Sequence, residues 1–243
     1  MKLSGNKILI TGASDGIGKA MALKFIELNN TVIAVARNRE KLEKICSVSS
    51  HVVPYACDIS NPQALDELIV FIQQKHPDIN ILINNAAIQY NYKFSEEENL
   101  LSKIEYEIKL NLLTPIKLTA LLLPLLEEKN NAAIVNVSSG LGLVPKASAP
   151  VYCGTKAGLH IFTKAFRYQS EHVKVFEVIP SLVDTAMTAG RGRGKISPEQ
   201  LVDEFIRAFK NDKYEINIGK VKLLRFINRI SPMMADKLMK NGR

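Results

Sequence analysis

A five-residue apolar run, KILIT at 7–11, passes directly into the glycine-rich turn TGASDGIG at 11–18. No other stretch constrains the fold as much. The run is too short for a helix and rich in branched residues, so it reads as a buried strand. The pattern over 19–28 that follows is helical, ended by Asn29-Asn30. A strand that turns through glycines into a helix offers backbone N–H groups at the helix N-terminus with no side chain in the way. A dinucleotide pyrophosphate needs such a place. Gly12 supplies the turn, Gly16 close approach and Gly18 tight packing of helix on strand. The spacing is T-G-x-x-x-G-x-G rather than the usual G-x-G-x-x-G.

The rest of the chain alternates in the same way. Further strands are expected over 31–36, 51–56, 80–83, 133–137, 173–179 and 215–218. Helices are expected over 39–45, 61–75, 97–127 (bent or broken near Pro115) and 151–170. Strands alternating with helices and joined by short loops imply an α/β fold. The expectation is one doubly wound, mostly parallel, seven-stranded sheet with helices on both faces, forming a single domain over 1–243. The irregular stretch 181–195, with three glycines, follows the sixth strand. Loops at the carboxyl ends of strands are where such sheets bind ligands.

Composition narrows the class. The chain has 243 residues, 47% hydrophobic and 23% charged, enough for a full core. No stretch approaches the roughly 20 apolar residues of a membrane span, and MKLSGNK lacks the apolar core of a signal peptide. Cys46, Cys57 and Cys153 have no metal or redox spacing, and the four histidines form no zinc pattern. A reduced, cytoplasmic protein is expected. The net charge is +8, with seven basic residues over 219–243 (Lys220, Lys222, Arg225, Arg229, Lys237, Lys240, Arg243) against Asp236 alone. A basic end suits anionic lipid, nucleic acid or solubility. No nucleic-acid motif accompanies it, so nucleic acid is not an expected partner.

The glycine spacing resembles that of the short-chain dehydrogenase/reductase family in its compact form. The resemblance implies a Rossmann-type domain, an oxidoreductase using NADP(H) or NAD(H), and a homodimer or homotetramer. It extends from Thr11 to Thr185, through Asp58 in ACDIS, NNAAI at 84–88 (Ala87 in place of a glycine) and PSLVDT at 180–185 (Ser181 in place of a glycine). Cofactor contacts are implied for Gly12, Ser14, Asp15, Gly16, Ile17 and Gly18. They are implied further along for Arg37, Asp58, Ile59, Asn85, Ala86, Ala87, Tyr152, Lys156, Pro180, Val183 and Thr185. Asp58 has an ordinary alternative as a helix-start residue, with Ser60 the other available cap. A fold of this kind that binds NAD usually ends its second strand with an acid for the ribose 2′-OH. Here Ala36 is followed by Arg37, a guanidinium suited to a 2′-phosphate, so NADP(H) is expected over NAD(H). Asp15 stands where NADP-preferring relatives often carry a basic residue.

Reduction of a carbonyl by hydride needs a proton donor. Tyr152 and Lys156 are four apart and share one face of the expected helix. A nearby ammonium favours the phenolate and lowers the phenol pKa toward neutrality, which suits general acid–base work. Tyr-x-x-x-Lys also describes a half-buried helix start with a surface lysine. The resemblance decides between them: Ser139, thirteen residues upstream, matches its substrate-polarising serine, and Asn111 in KLNLLTP its relay asparagine. Cys153 lies about 100° around the helix from Tyr152 and has no nearby base, so it reads as packing.

Substrate choice falls to the remainder. Ser197, Pro198 and Gln200 announce a helix with a capping box, and Ser231-Pro232 announces another. The tail resembles that of a bacterial subgroup named for a gene cluster that attaches D-alanine to teichoic acids, a name that identifies no substrate. The segment 221–239 mixes apolar and basic residues; pocket cover, subunit contact and an anionic membrane surface all fit it. The implied activity acts on a small carbonyl or alcohol. A non-catalytic NADP-binding regulator or scaffold of the same fold is the alternative, and the Asn-Ser-Tyr-Lys set speaks against it. A sugar-nucleotide epimerase shares a Tyr/Lys pair but needs a further substrate domain.

Overall fold

Each expected strand forms, the inner five between two strand neighbours and the edge pair with one each. In the computed structural model, which describes residues 1–240, they are β1 (Lys7–Thr11), β2 (Thr31–Ala36), β3 (Val52–Ala56), β4 (Ile81–Asn84), β5 (Ala133–Val137), β6 (Lys174–Pro180) and β7 (Glu215–Ile218). They make one sheet in the order β3-β2-β1-β4-β5-β6-β7. Every pairing is parallel, as in Leu9 with Ile33 and Leu82.

Side chains alternate across a strand, and both faces are covered. Ile8, Ile10, Val32 and Ile83 pack on one face with Phe25 of α1 (Gly16–Glu27) and Phe205 and Phe209 of α7 (Pro198–Lys210). Leu9, Ile33, Leu82 and Ile134 pack on the other with Leu68 and Ile72 of α3 (Pro62–Lys75) and Leu118 and Leu122 of α5 (Thr114–Glu127). Burial on both faces explains why the inner strands read as nearly continuous apolar runs, while the edge strands β3 and β7 are only partly buried. Helix α2 (Arg39–Cys46) starts at Asn38, whose side chain accepts from the Lys41 N–H. Neither Asp58 nor Ser60 caps α3. Asn61 does, accepting from the Ala64 N–H at 3.2 Å, with Pro62 in the first turn.

The long helix does not break at Pro115. Helix α4 (Leu100–Ile108) runs into α5 through a π-helical turn, Lys109–Leu113. Pro115 has no N–H to return to the Asn111 carbonyl four residues earlier, and its ring crowds that carbonyl. The widened turn relieves both, with the Thr114 N–H bonding back five residues to Lys109. The stretch Leu100–Glu127 is long and apolar enough to cross a membrane by composition. Its apolar residues Leu118, Leu122 and Leu126 are instead completely buried against the sheet.

Helix α6 (Pro150–Gln169) carries the expected reactive pair. The basic tail forms α8 (Val221–Ile230) and α9 (Pro232–Met239). Their inner face packs on the loop after β5, through Leu224 and Ala235 against Val144. Of the tail cations, Arg243 lies outside the described residues.

Candidate active site

The chain leaves β1 for β2 and β3 on one side, then returns to place β4 on the other. Loops at this switch point diverge and leave a crevice beyond the strand ends. Thr11 ties its two walls together. Its Oγ1 accepts from the N–H groups of Asn85 (3.0 Å) and Ala86 (3.1 Å). The Asn85 amide donates to the Thr11 carbonyl at 3.0 Å. Gly12 sits at φ +67°, and a Cβ there would fall 2.9 Å from Ala86 Cα. A Cβ on Gly18 would fall 2.2 Å from the Gly12 carbonyl oxygen, so this glycine packs helix on strand as expected.

A cavity of about 600 Å3 runs across the crevice. Gly12, Ser14, Asp15, Gly16, Ile17, Arg37, Asp58, Ile59, Asn85, Ala86, Ala87, Tyr152, Lys156, Pro180 and Thr185 all line it. Four expected residues do not. Gly18 is beneath the loop, Asn111 is completely buried, and Ser139 is half-buried next to the lining residue Ser138. Val183 is buried and forms an isolated bridge with Ile196, so it shapes the loop after β6 rather than the cavity surface.

At one end Arg37 is exposed and its Nη1 donates to the Tyr106 hydroxyl at 2.6 Å. That hydroxyl donates to Asp58 Oδ2 at 3.3 Å, while Asp58 Oδ1 accepts from the Ser60 N–H and hydroxyl. Asp15 caps α1 and pairs with Lys41, and this ammonium holds its carboxyl below the usual range. The cation absent from the glycine loop is therefore supplied by α2. Sequence reading missed Lys41, Asn38 and Tyr106. The signal for Lys41 was the cap at Asn38, which turns the third helical residue back toward the strand end.

At the other end stand Tyr152 and Lys156, only 7% and 2% exposed. The Lys156 ammonium donates to the Val137 carbonyl at 2.8 Å and lies 5.8 Å from the Tyr152 ring centre. Burial pushes the Tyr152 phenol up to about 12, with a hydrogen bond from Ser139 pulling the other way. Burial also pushes Lys156 down to about 8, opposed by the Glu177 carboxylate. The phenol is thus raised where Lys156 was expected to lower it, and Lys156 is not among the groups that shift it. The phenol is desolvated, and the ammonium is committed to a carbonyl. Ser139 Oγ accepts from the Leu141 N–H at 3.1 Å, which leaves its hydroxyl proton for the Tyr152 side.

Asn111 is completely buried in the π turn. It accepts from the Ile88 N–H and donates to the Ile88 carbonyl, both at 2.8 Å, and donates to Thr155 Oγ1 at 3.3 Å. It clamps the loop after β4 to α6; no hydrogen bond joins its side chain to Lys156 among the described residues. Cys153 accepts at Sγ from the Lys146 N–H at 3.3 Å, and burial raises its thiol pKa, in keeping with packing. Beneath Lys156, buried Glu177 accepts from Ser138 Oγ (2.5 Å) and meets His160 Nδ1 (2.8 Å). Sequence reading also missed Gln89, Tyr90, Met187 and Arg191 of the wall. They sit on loops, where no periodicity reports direction.

The model of the short chain dehydrogenase family matches residues 6–195. The uncharacterized oxidoreductase DltE of Bacillus subtilis is 36% identical over 238 residues, 94% of each chain. The structure is similar to a short chain dehydrogenase from Burkholderia cenocepacia in complex with NADP (TM-score 0.87, 23% identity, 98% of this chain and 99% of that one). It is also similar to a short chain dehydrogenase/reductase from Burkholderia phymatum in complex with NAD (TM-score 0.83, 17% identity, 100% and 98%). With a match of this extent laid over this fold and crevice, the chain belongs to the short-chain dehydrogenase/reductase family of NAD(P)-dependent oxidoreductases.

Proposed function

We propose that the chain transfers a hydride between NADP(H) and a small carbonyl or secondary-alcohol substrate, with Tyr152 as general acid in reduction and general base in oxidation. One observation carries the reading: Tyr152 and Lys156 wall one end of a cavity whose other end is walled by Arg37 and Lys41. The residues present fit a dinucleotide. The glycine turn leaves space that a Cβ on Gly12 would take from Ala86, and no carboxylate directly follows β2. Similar folds hold either cofactor, so the preference for NADP(H) rests on Arg37 and Lys41 meeting a 2′-phosphate.

When bound, the nicotinamide gives or takes the hydride; the side chains manage the proton. Burial keeps Tyr152 protonated, so it is ready to donate to a carbonyl oxygen. Ser139 donates to the same oxygen and polarises it. Lys156, charged below about pH 8, stabilises the phenolate left by proton transfer. Asn111 fixes the loop that faces them.

Turnover of aldehydes, ketones and 3-oxoacyl compounds with NADPH and with NADH tests the reading. Tyr152→Phe is expected to lower kcat by about 10³-fold, within the usual span of a lost acid–base group, while NADPH affinity persists. Normal turnover in that variant removes the mechanism, and NADH outperforming NADPH removes the cofactor preference.

Two further surfaces belong to this reading. Exposed Leu101, Ile161 and Tyr168 on α4 and α6 support a homodimer or homotetramer. On α8 and α9, Phe226, Ile230, Met233 and Met234 are exposed beside Arg229 and Lys237, which supports peripheral contact with an anionic membrane. Three free cysteines support a reducing, cytoplasmic location. The single sheet supports reading the whole chain as one domain.

A further inference from the structure

The loop between β6 and α7 is built to hold a side chain in place. Its base is closed by the Val183–Ile196 bridge and by Lys195, which donates to Asp184 (3.0 Å) and to the Thr188 carbonyl (2.8 Å). Its tip alternates glycine with arginine. Gly190, Gly192 and Gly194 take φ of +71°, +61° and +69°, a region that side chains other than glycine rarely adopt. The two arginines between them have different fates. Arg193 is exposed, while Arg191 is half-buried and lines the cavity with Tyr152 and Lys156.

Arg191 Nη1 is buried and has no hydrogen-bond partner among the described residues. A guanidinium donor out of water and unpaired is costly. The acids that line the cavity are Asp15 and Asp58, and both are engaged elsewhere, with Lys41 and with Ser60. The Arg191 charge reaches Tyr152, whose phenol it favours ionising. Gln89, Tyr90, Ala186 and Met187, which line the same cavity, carry no charge. Two other charged groups bear on the reaction end: Lys156, whose ammonium donates to the Val137 carbonyl, and buried Glu107, which accepts from the Tyr90 N–H and acts on the Tyr152 phenol against Arg191; neither forms an ion pair with Arg191 among the described residues.

We propose that the substrate carries an anionic group, a carboxylate or a phosphate, beside its carbonyl, and that Arg191 binds that group. This inference rests on the reductase reading above. An arginine–anion bond made on binding adds selectivity of about tenfold or more, the value of one charged hydrogen bond.

The test compares each charged probe with its uncharged partner, using NADPH. A series of 2-, 3- and 4-oxo acids is set against their methyl esters, and dihydroxyacetone phosphate against dihydroxyacetone. The expected result is a kcat/KM at least about tenfold higher for one charged probe than for its partner. The carboxylate and phosphate arms show which anion is meant. Arg191→Met is expected to bring the ratio close to one, and Arg191→Lys to keep part of it.

A wild-type ratio near one, or a ratio unchanged in Arg191→Met, overturns the proposal. So does a loss confined to NADPH affinity, which makes Arg191 a cofactor ligand. Binding to Tyr152→Phe with NADPH bound, followed by nicotinamide fluorescence, separates the two readings. Tight binding of the charged probe that is lost on adding Arg191→Met upholds the anion site even if the wild type turns nothing over. If no charged probe binds there while uncharged carbonyls are reduced, the anion site falls and the reductase reading stands.

Discussion

Lys156 carries two opposed consequences of one burial. Its ammonium is 2% exposed and its pKa is pushed down from 10.5 to about 8. Between those values the unfolded chain holds a proton that the native state has released, so stability rises with pH across that window. Relative to Lys156→Met, the wild type is expected to gain about 3 kcal/mol between pH 7.5 and 10.5, from about 1.4 kcal/mol per unit. Urea denaturation of both proteins checks this, and parallel profiles contradict it. Activity moves the other way. Carbonyl reduction is expected to decline as pH rises through about 8, where the charge beside the phenol is lost. On the proposed reading Arg37 and Lys41 serve the cofactor's 2′-phosphate. Replacing both with alanine is expected to weaken NADPH about tenfold or more, as two charged contacts to phosphate are removed, and to leave NADH nearly unaffected. Fluorescence titration with each nucleotide measures it; equal losses would place both residues elsewhere.

At the level of elements, the join of β1 to α1 is the least tolerant part of the fold. A Cβ on Gly18 meets the backbone oxygen of Gly12 at 2.2 Å. Gly18→Ala is expected to cost about 2 kcal/mol or more, as overpacking against rigid backbone does. Thermal denaturation checks this, and an unchanged Tm would mean that α1 shifts freely. This join was legible in sequence because strand, glycines and helix are contiguous there. The strands were legible too: β1, β2, β5 and β7 fall at the expected residues, the first three as mostly apolar runs buried on both faces and β7 as an edge strand that alternates buried Ile216 and Ile218 with half-buried Glu215 and Asn217. The π turn was not. Pro115 announced a disturbance, but its steric effect falls on the carbonyl four residues earlier, at Asn111. Arg191 and Lys41 were illegible for another reason: their roles depend on which loop meets which helix end across the sheet. Tyr152 was expected as the proton donor from its spacing to Lys156 and Ser139, yet its raised pKa depends on packing that no spacing encodes.

On the scale of the whole molecule, α8 and α9 have an inner face committed to the core and an outer face that is not. Met233 is 80% exposed and Ile230 68%, with Arg229, Lys237 and Lys240 alongside. Cosedimentation is expected with phosphatidylglycerol vesicles and not with phosphatidylcholine. Binding is expected to weaken with salt and to be lost in Phe226→Glu/Met233→Glu. Partition indifferent to lipid charge, or none, removes the membrane reading. The cavity has a further consequence. Its walls come from the loop after β1, the loop after β4, helix α6 and the loop after β6, segments far apart in the chain. A nucleotide filling it acts as a removable cross-link between the two halves of the sheet. At a hundredfold excess over its Kd it adds about 2.7 kcal/mol to unfolding, so the equilibrium stability of the protein is expected to follow the nucleotide supply around it.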